Sequence, residues 1–397
     1  MNELLQVLIS ALIALYCTCW IHPYVLKVAK SKNIVDNPDA RKLQRVPVPI
    51  MGGLTVVFGV LSGIMGYRLF GGDFDLFPVF ACIFIILIVG LMDDIISLSP
   101  KVRFVVEILL VLYLICTTGY QLNDFHGLWG LYGIPAPVSV PLTVFACVGI
   151  INSINLIDGV DGYSSGYSIV SSALFGLVFY HLGNLQMVVL AAVVAASLLP
   201  FFLHNVFGKE SKMFIGDAGT LSLGIIFSVF VITLLSTPSA SLPVDGSLGL
   251  VPFTLAVLCV PVFDTLRVMS SRLLKGKSPF NPDKTHLHHL YIELGFSHIG
   301  TALSIIGTNL LVVLCWYVSY RLGATVDVQL YVVVLMGLLV TFVFYGFVKC
   351  QIRKGTSLYH TLSKIGASTH FKRKGFWHLM QRWADKSANK VGGESEQ

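Results

Sequence analysis

The stretch Asn152-Ser-Ile-Asn155-Leu-Ile-Asp158-Gly-Val-Asp161-Gly162 sets an amide or a carboxylate at every third position between two long apolar runs. On a helix, neighbours in such a series share a face, one turn apart. Gly159 and Gly162 weaken that helix and let backbone approach a ligand. Four oxygen-bearing side chains at a membrane edge suit a hard cation, or a sugar nucleotide held through one. The plainer alternative is a polar loop that contains Asp-Gly turns. Asp93-Asp94 is a second acidic site, after the apolar run 78–92. Adjacent helical side chains diverge by about 100°, so the two carboxylates should do different work. One could take a proton or face a phosphate while the other holds a base or a metal-bound water; a solvated acid pair at a helix end is the competing explanation. In Gly216-Asp217-Ala-Gly219-Thr220 a single acid sits between glycines before another apolar run. Mg²⁺ takes one or two protein carboxylates plus substrate phosphates, which makes Asp217 the first candidate ligand and Asn155 the second. An acid favoured by a helix N-terminus would look the same.

Asn281-Pro282-Asp283-Lys284-Thr285-His286-Leu287-His288-His289 reads as a helix start, with Asn281 as N-cap and Pro282 in the first turn. His286 and His289 would then share a face. Zinc on a helix prefers histidines at i and i+4, so hydrogen bonding to phosphate or a nucleobase fits this spacing better. Arg41-Lys42-Leu-Gln-Arg45-Val-Pro47 through Gly52-Gly53 is basic and turn-rich. It either binds a lipid phosphate, with Arg45 as a contact, or simply marks the positive side of a membrane. Lys101, Arg103 and Lys212 make weaker cases of the same kind. Asp264 and Arg267, three apart, read as a structural ion pair.

The elements that position these residues are membrane helices. Hydrophobic residues make up 55% of 397 and charged residues 12%, where a soluble chain carries about 25% charge; mean hydropathy is +0.78. The eight cysteines lie in or beside apolar runs without metal-like spacing and read as small hydrophobes. The first apolar run lacks a basic start and a cleavage site, so it reads as a span and not a signal peptide. The fold class is all-α and polytopic. Eleven apolar runs approach the roughly 20 residues a span needs: 2–21, 51–70, 76–92, 104–120, 138–155, 164–182, 185–203, 219–237, 248–270, 299–320 and 328–348. In this threading all 27 Lys and Arg except Arg68 and Arg321 fall on one side. That side should be cytoplasmic, with the N-terminus outside and the C-terminus inside. Every motif above lies on it. Residues 1–350 form the integral-membrane catalytic region and 351–397 a basic cytoplasmic tail. In that tail Phe376, Trp377, Met380 and Trp383 share a helical face, and a helix over about 375–386 lying on the membrane surface is expected.

Together these pieces resemble the polyprenyl-phosphate N-acetylhexosamine-1-phosphate transferases, glycosyltransferase family 4. The match is nearest to the bacterial undecaprenyl-phosphate GlcNAc-1-phosphate branch that starts cell-surface glycans such as O-antigen. The motifs that carry it are Asp93-Asp94, Asn152–Gly162, Gly216–Leu221 and Pro282–His289, in family order over roughly 40–295. The resemblance implies a bacterial cytoplasmic-membrane enzyme with eleven helices and a cytoplasmic cleft. It implies transfer of a sugar-1-phosphate from a UDP-sugar to polyprenyl phosphate, with UMP released. Mg²⁺ is the implied cofactor, with Mn²⁺ as a tolerated substitute; no nucleic acid is expected, and there is room for a homodimer. By the same resemblance Asp217 is the core metal ligand with Asn155 second. Asp93 is the candidate base, with Asp94 beside it. Asn152, Asp158 and Asp161 shape the nucleotide pocket, and His286, His288 and His289 contact the diphosphate or the sugar nucleotide. Val46-Pro-Val-Pro-Ile-Met-Gly-Gly stands where the muramoyl-pentapeptide branch has Thr-Pro-Thr-Met-Gly-Gly, which argues against that substrate. A cation-coupled transporter using the same acids is the reading from another class, but its acids belong near the bilayer midplane. A third class, an intramembrane hydrolase, would use the His cluster with zinc.

Overall fold

The first helix, α1 (Glu3–Ser31), shows what kind of solvent the fold expects. Its buried face carries Gln6, Ser10, Ala14, Thr18 and His22, spaced four apart, while Leu4, Leu5, Leu8, Leu12 and Tyr16 are exposed. A helix in water does the opposite. Polar and small residues inside with leucines outside is how helices pack in hydrocarbon, where apolar contact alone gives no drive to associate. In the computed structural model, which describes residues 2–38, 44, 46–238, 247–278, 284–370 and 374–392, the chain is a multi-pass helical membrane protein.

After α1 a short antiparallel pair joins β1 (Val35–Asp36) to β2 (Val48–Pro49). Then follow α2 (Gly52–Leu69), α3 (Phe77–Ile96), α4 (Pro100–Thr118), α5 (Ala136–Leu156), α6 (Tyr163–His181), α7 (Leu185–Phe207) and α8 (Gly216–Ser236). Next come α9 (Leu250–Val257), α10 (Cys259–Leu273), α11 (Leu287–Glu293), α12 (His298–Arg321) and α13 (Val326–Leu338), which runs through a π turn into α14 (Phe344–Lys354). The last two are α15 (Ser357–Ser368) and α16 (Phe376–Gly392). All eleven apolar runs are helical, but the expected eleven spans are not all long and apolar enough to cross a membrane. Among the described residues eight helices are, or nine if the bent pair α9–α10 counts as one span. The two that fall short are α4, which carries Lys101, Arg103 and Glu107, and α6, whose Ser164, Ser165, Ser168, Ser171 and Ser172 are all buried. Arg103 and Glu107 of α4 and the α6 serines face the protein interior, away from lipid that would penalise them, while Lys101 is exposed.

The chain divides into two compact units. One holds 1–122, 137–236 and 372–397; the other holds 123–136 and 237–371. At the centre of the first, the whole apolar stretch of α8 is buried, packed by α3 and α2. Its start is tied to the entry of α2. Gly52 N–H and Gly53 N–H donate to Phe214 O (2.9 Å) and Ile215 O (2.7 Å), and Phe214 N–H donates to Pro49 O (2.8 Å). A Cβ on Gly53 would lie 2.1 Å from Gly219 N and 2.4 Å from its Cα. The Met51-Gly52-Gly53 turn therefore exists for close backbone packing. Gly53→Ala should destabilise the protein by roughly 1–3 kcal/mol or more, the cost of overpacking against backbone that cannot yield. Thermal unfolding in detergent measures it, and an unchanged midpoint would contradict this packing.

In the second unit α9 and α10 meet at a 71° bend. Pro261, in the first turn of α10, has no N–H to give back to α9. Asn309 of α12 serves the opened backbone: its amide nitrogen donates to Val257 O (3.0 Å) and its oxygen accepts from Val260 N–H (2.9 Å). Broken backbone inside a membrane protein needs partners of this kind. The bend gives α10 a direction of its own, and α10 carries Asp264 and Arg267.

Candidate active site

The first unit brings Asp93 and Asp217 to one cation, Arg103, with Asn152 and Asn155 attached through carboxylates of the same cluster. α3 ends at Ile96, with Ser97 in the left-handed region (φ 53°). Asp93 closes this end by accepting from Leu98 N–H at 2.7 Å. Ser99 caps α4 and Pro100 opens it, which places Arg103 one turn inside. Arg103 Nη1 reaches Asp93 Oδ2 at 2.8 Å and Asp217 Oδ2 at 3.6 Å, while its Nε lies 3.8 Å from Glu107 Oε1. Three carboxylates thus share one guanidinium. Glu107 is fully buried and accepts from Asn152 Nδ2 at 2.6 Å. Asn155 Nδ2 donates to Asp217 Oδ1 (2.5 Å) and Thr220 Oγ1 (2.8 Å).

The divergence of the acid pair is borne out. Asp94 turns away from Arg103 and accepts from the Asp217 N–H (2.8 Å) and the Ala218 N–H (3.1 Å), capping the start of α8. Gly216 stands here at φ +71°, and a Cβ on it would meet Asp94 Oδ2 at 2.5 Å. Asp94 is therefore an anchor that sets where Asp217 stands, and its charge is answered by the helix N-terminus.

The Asn152–Asp161 series does not stay on one helix. α5 ends at Leu156 and the chain turns, with Gly162 at φ 77°. Asn152 and Asn155 remain on the helix, while Asp158 and Asp161 lie in the turn. The four side chains find four different partners. Asp158 accepts from Ser164 Oγ (2.7 Å), and Asp161 pairs with Lys212 (2.6 Å). Desolvation by nearby protein, then repulsion from Asp217 and Asp161, raises the Asp158 carboxyl above the ordinary carboxylate range, an effect that solvent weakens because the residue is exposed. Lys101 is exposed on α4. Arg41, Lys42, Arg45, Asn281, Pro282 and Asp283 lie outside the described residues.

In the second unit the histidine motif departs from expectation. α11 begins at Leu287, and residues 284–286 are not helical, so His286 precedes the helix and does not share a face with His289 inside it. The reason is Asp264. Its Oδ2 lies 3.0 Å from His286 Nδ1 and accepts from Leu287 N–H at 3.1 Å, so a side chain from α10 supplies the cap. Its Oδ1 takes Arg267 Nη2 at 2.7 Å, and Arg267 also donates to Thr285 O and lies 3.7 Å above the Tyr345 ring. The pair read as merely structural is the support of the His loop. His286 and His288 rings are parallel at 5.8 Å, and His288 and His289 are 4.3 Å apart. Burial first, then His289 and His286, keep His288 well below the usual imidazole range, so it is neutral at pH 7.

Residues 76–235 match the family described as glycosyl transferase family 4. An undecaprenyl-phosphate alpha-N-acetylglucosaminyl 1-phosphate transferase of Escherichia coli K12 is 31% identical over 280 residues, 69% of this chain and 73% of that protein. A probable undecaprenyl-phosphate N-acetylglucosaminyl 1-phosphate transferase of Bacillus subtilis is 31% identical over 305 residues, 77% and 82% of the two chains. The enzyme of Salmonella typhimurium is 30% identical over 296 residues, 73% and 77%. This chain belongs to glycosyl transferase family 4.

The family 4 segment runs from α3 to α8 and contains the whole Arg103 cluster. Two residues that shape the site, Glu107 in that cluster and Asn205 outside it, were not singled out in the sequence. Glu107 could have been: it is a lone acid in an apolar run, one turn beyond Arg103. Asn205 had no such signal. Its Oδ1 accepts from Gly162 N–H (2.7 Å) and its Nδ2 donates to Met213 O (3.0 Å), which joins the Asp158–Gly162 turn to the segment before α8.

Proposed function

We infer that the protein transfers GlcNAc-1-phosphate from UDP-GlcNAc to undecaprenyl phosphate on the cytoplasmic face of a bacterial membrane, releasing UMP. The observation that carries this reading is the meeting of Asp217, Arg103 and Asn155 at the start of α8. The names of the relatives in family 4 support the acceptor and the sugar phosphate. An oxygen of the lipid phosphate bonds to the donor's β-phosphorus, the bond to the bridging oxygen breaks, and UMP leaves. Both reactants are polyanions, so charge and alignment decide the rate.

Mg²⁺ is the cofactor we propose. The charge fits it: three carboxylates share one guanidinium and leave excess negative charge, and Asp217 offers a hard oxygen ligand. Asn155, whose Nδ2 faces Asp217 Oδ1 and Thr220 Oγ1, would present its amide oxygen as the second ligand on turning over. Among the described residues no set of three or more His, Cys, Asp or Glu forms a metal cage. Bound there Mg²⁺ would neutralise the diphosphate. Arg103 Nη1 reaches both Asp93 and Asp217 and sets their register. Asn152, Asp158, Asp161, His286, His288 and His289 are assigned to the UDP-sugar, and Arg45 and Lys101 to the lipid phosphate.

Asp93 is assigned to the lipid phosphate's proton, but that phosphate has a second pKa near about 6 and is mostly dianionic at neutral pH. Asp93→Asn should therefore lower kcat by only about tenfold to a hundredfold, at or below the lower end of what a general base ordinarily contributes, with the KM for UDP-GlcNAc little changed. Full recovery at high UDP-GlcNAc would assign Asp93 to binding. The function itself is tested by purified protein, undecaprenyl phosphate, Mg²⁺ and a panel of UDP-sugars. UMP release should be fastest with UDP-GlcNAc; release with UDP-MurNAc-pentapeptide alone would replace this reading.

A further inference from the structure

The tail helix α16 is built into the first unit. Trp377 packs on Phe207 (4.7 Å between rings), Trp383 stacks on His204 (5.4 Å), and Ala384 is fully buried. The aromatic face expected to lie on lipid is thus partly used against protein, while Phe376 and Leu379 remain exposed. The strongest polar contact is made by Asp385. Its Oδ1 accepts from three successive backbone N–H groups, Lys209 (3.0 Å), Glu210 (2.9 Å) and Ser211 (3.1 Å), and from Ser211 Oγ (3.1 Å). Consecutive N–H groups pointing at one point form an anion nest, and here a carboxylate 174 residues further along the chain fills it. α1 holds the other side of the same turn: Lys30 Nζ donates to Glu210 O (2.7 Å), and His22 Nε2 lies 3.0 Å from Ser211 O.

The residues that follow this turn reach the candidate site. Lys212 pairs with Asp161, and Met213 O is held by Asn205, which also holds Gly162. The path from Asp385 to the Asp158–Gly162 turn thus runs through three consecutive residues, each fixed by a named hydrogen bond. We propose that Asp385 is a positioning residue of the transferase: by filling the 209–211 nest it sets where Lys212 stands against Asp161, and so shapes the nucleotide side of the site. This rests on the function proposed above. It touches no reactant and acts through Lys212.

The test uses full-length protein in detergent. In Asp385→Ala the amides of 209–213 should exchange hydrogen on the order of tenfold faster, because the opened turn loses its charge-assisted bonds. The KM for UDP-GlcNAc should rise about tenfold, the scale set by losing hydrogen bonds to a charged group, while kcat stays within about twofold, as for a loss of binding alone. Asp385→Asn keeps an acceptor oxygen and should recover part of the KM. Lys212→Ala combined with Asp385→Ala should be no worse in KM than Lys212→Ala alone, the sign of residues acting in one path. Unchanged exchange at 209–213, a fall in kcat with constant KM, or fully additive losses would overturn the proposal. Wild-type protein that releases no UMP would instead count against the proposed function, and the exchange measurement would still decide the contact.

Discussion

Asp217→Ala should leave a folded membrane protein that releases UMP at about one-thousandth of the wild-type rate or less, the scale of losing a key electrostatic group. Folding should survive because α8 does not depend on this side chain. Its start is held by Asp94 at the Asp217 and Ala218 N–H groups and by the Pro49–Gly53 segment at Phe214 and Ile215. Alanine keeps the Asp217 N–H and suits a helix. It also removes one of three carboxylates that crowd Arg103, so the unfolding temperature should stay level or rise. Catalysis has no such reserve, since no other acid sits at that point on α8. Asp217→Asn should be nearly as slow, because it keeps the shape and loses the charge. The measurement is UMP release across a Mg²⁺ titration together with thermal unfolding. Near-wild-type release at limiting Mg²⁺ would remove Asp217 from its assigned role.

Arg103→Met should be damaging in both respects. It leaves Asp93, Glu107 and Asp217 together with no cation to divide between them. Removing one partner of a buried ion pair costs about 3–5 kcal/mol, because the remaining charge stays buried and unpaired. Glu107, fully buried, is the group that cannot escape into water. We expect a clear drop in unfolding temperature and little UMP release. Two companion variants separate the effects. Arg103→Lys keeps the charge but lacks the planar fork that spans two carboxylates; it should fold and run about tenfold to a hundredfold slower, as expected when alignment suffers. Adding Glu107→Gln to Arg103→Met should restore much of the stability and none of the rate. Wild-type stability and rate in Arg103→Met would show that the cluster does not need its guanidinium.

The acid pair and the series 152–161 show how far the sequence reading reaches. Divergence of Asp93 and Asp94 follows from helix geometry, and the structure gives them separate partners. The every-third-residue series suggested four side chains on one face. Only Asn152 and Asn155 keep that relation, because Gly159 and Gly162 let the chain turn after Leu156. The His motif suffered in the same way. A Pro after Asn predicts a helix start, but the described helix begins at Leu287, where Asp264 reaches across from α10 to cap it. Local signals locate polar segments well and the partners of those segments poorly.

What the sequence determined by itself was the solvent and the chemistry on offer. A high apolar content in runs of about 20 residues makes a membrane protein, and acids, amides and histidines gathered in a few short motifs mark the residues that could do chemistry. Those properties depend on composition and short-range periodicity, which no folding partner can change. What the tertiary structure decided was which charges meet. Arg103 beside three carboxylates, Asp94 at the head of α8, Asp264 under the His loop and Asp385 in the 209–211 nest join residues from 4 to 176 positions apart. Such pairings are set by helix packing, where close-fitting glycines and bends choose the neighbours, and a linear pattern carries no term for them.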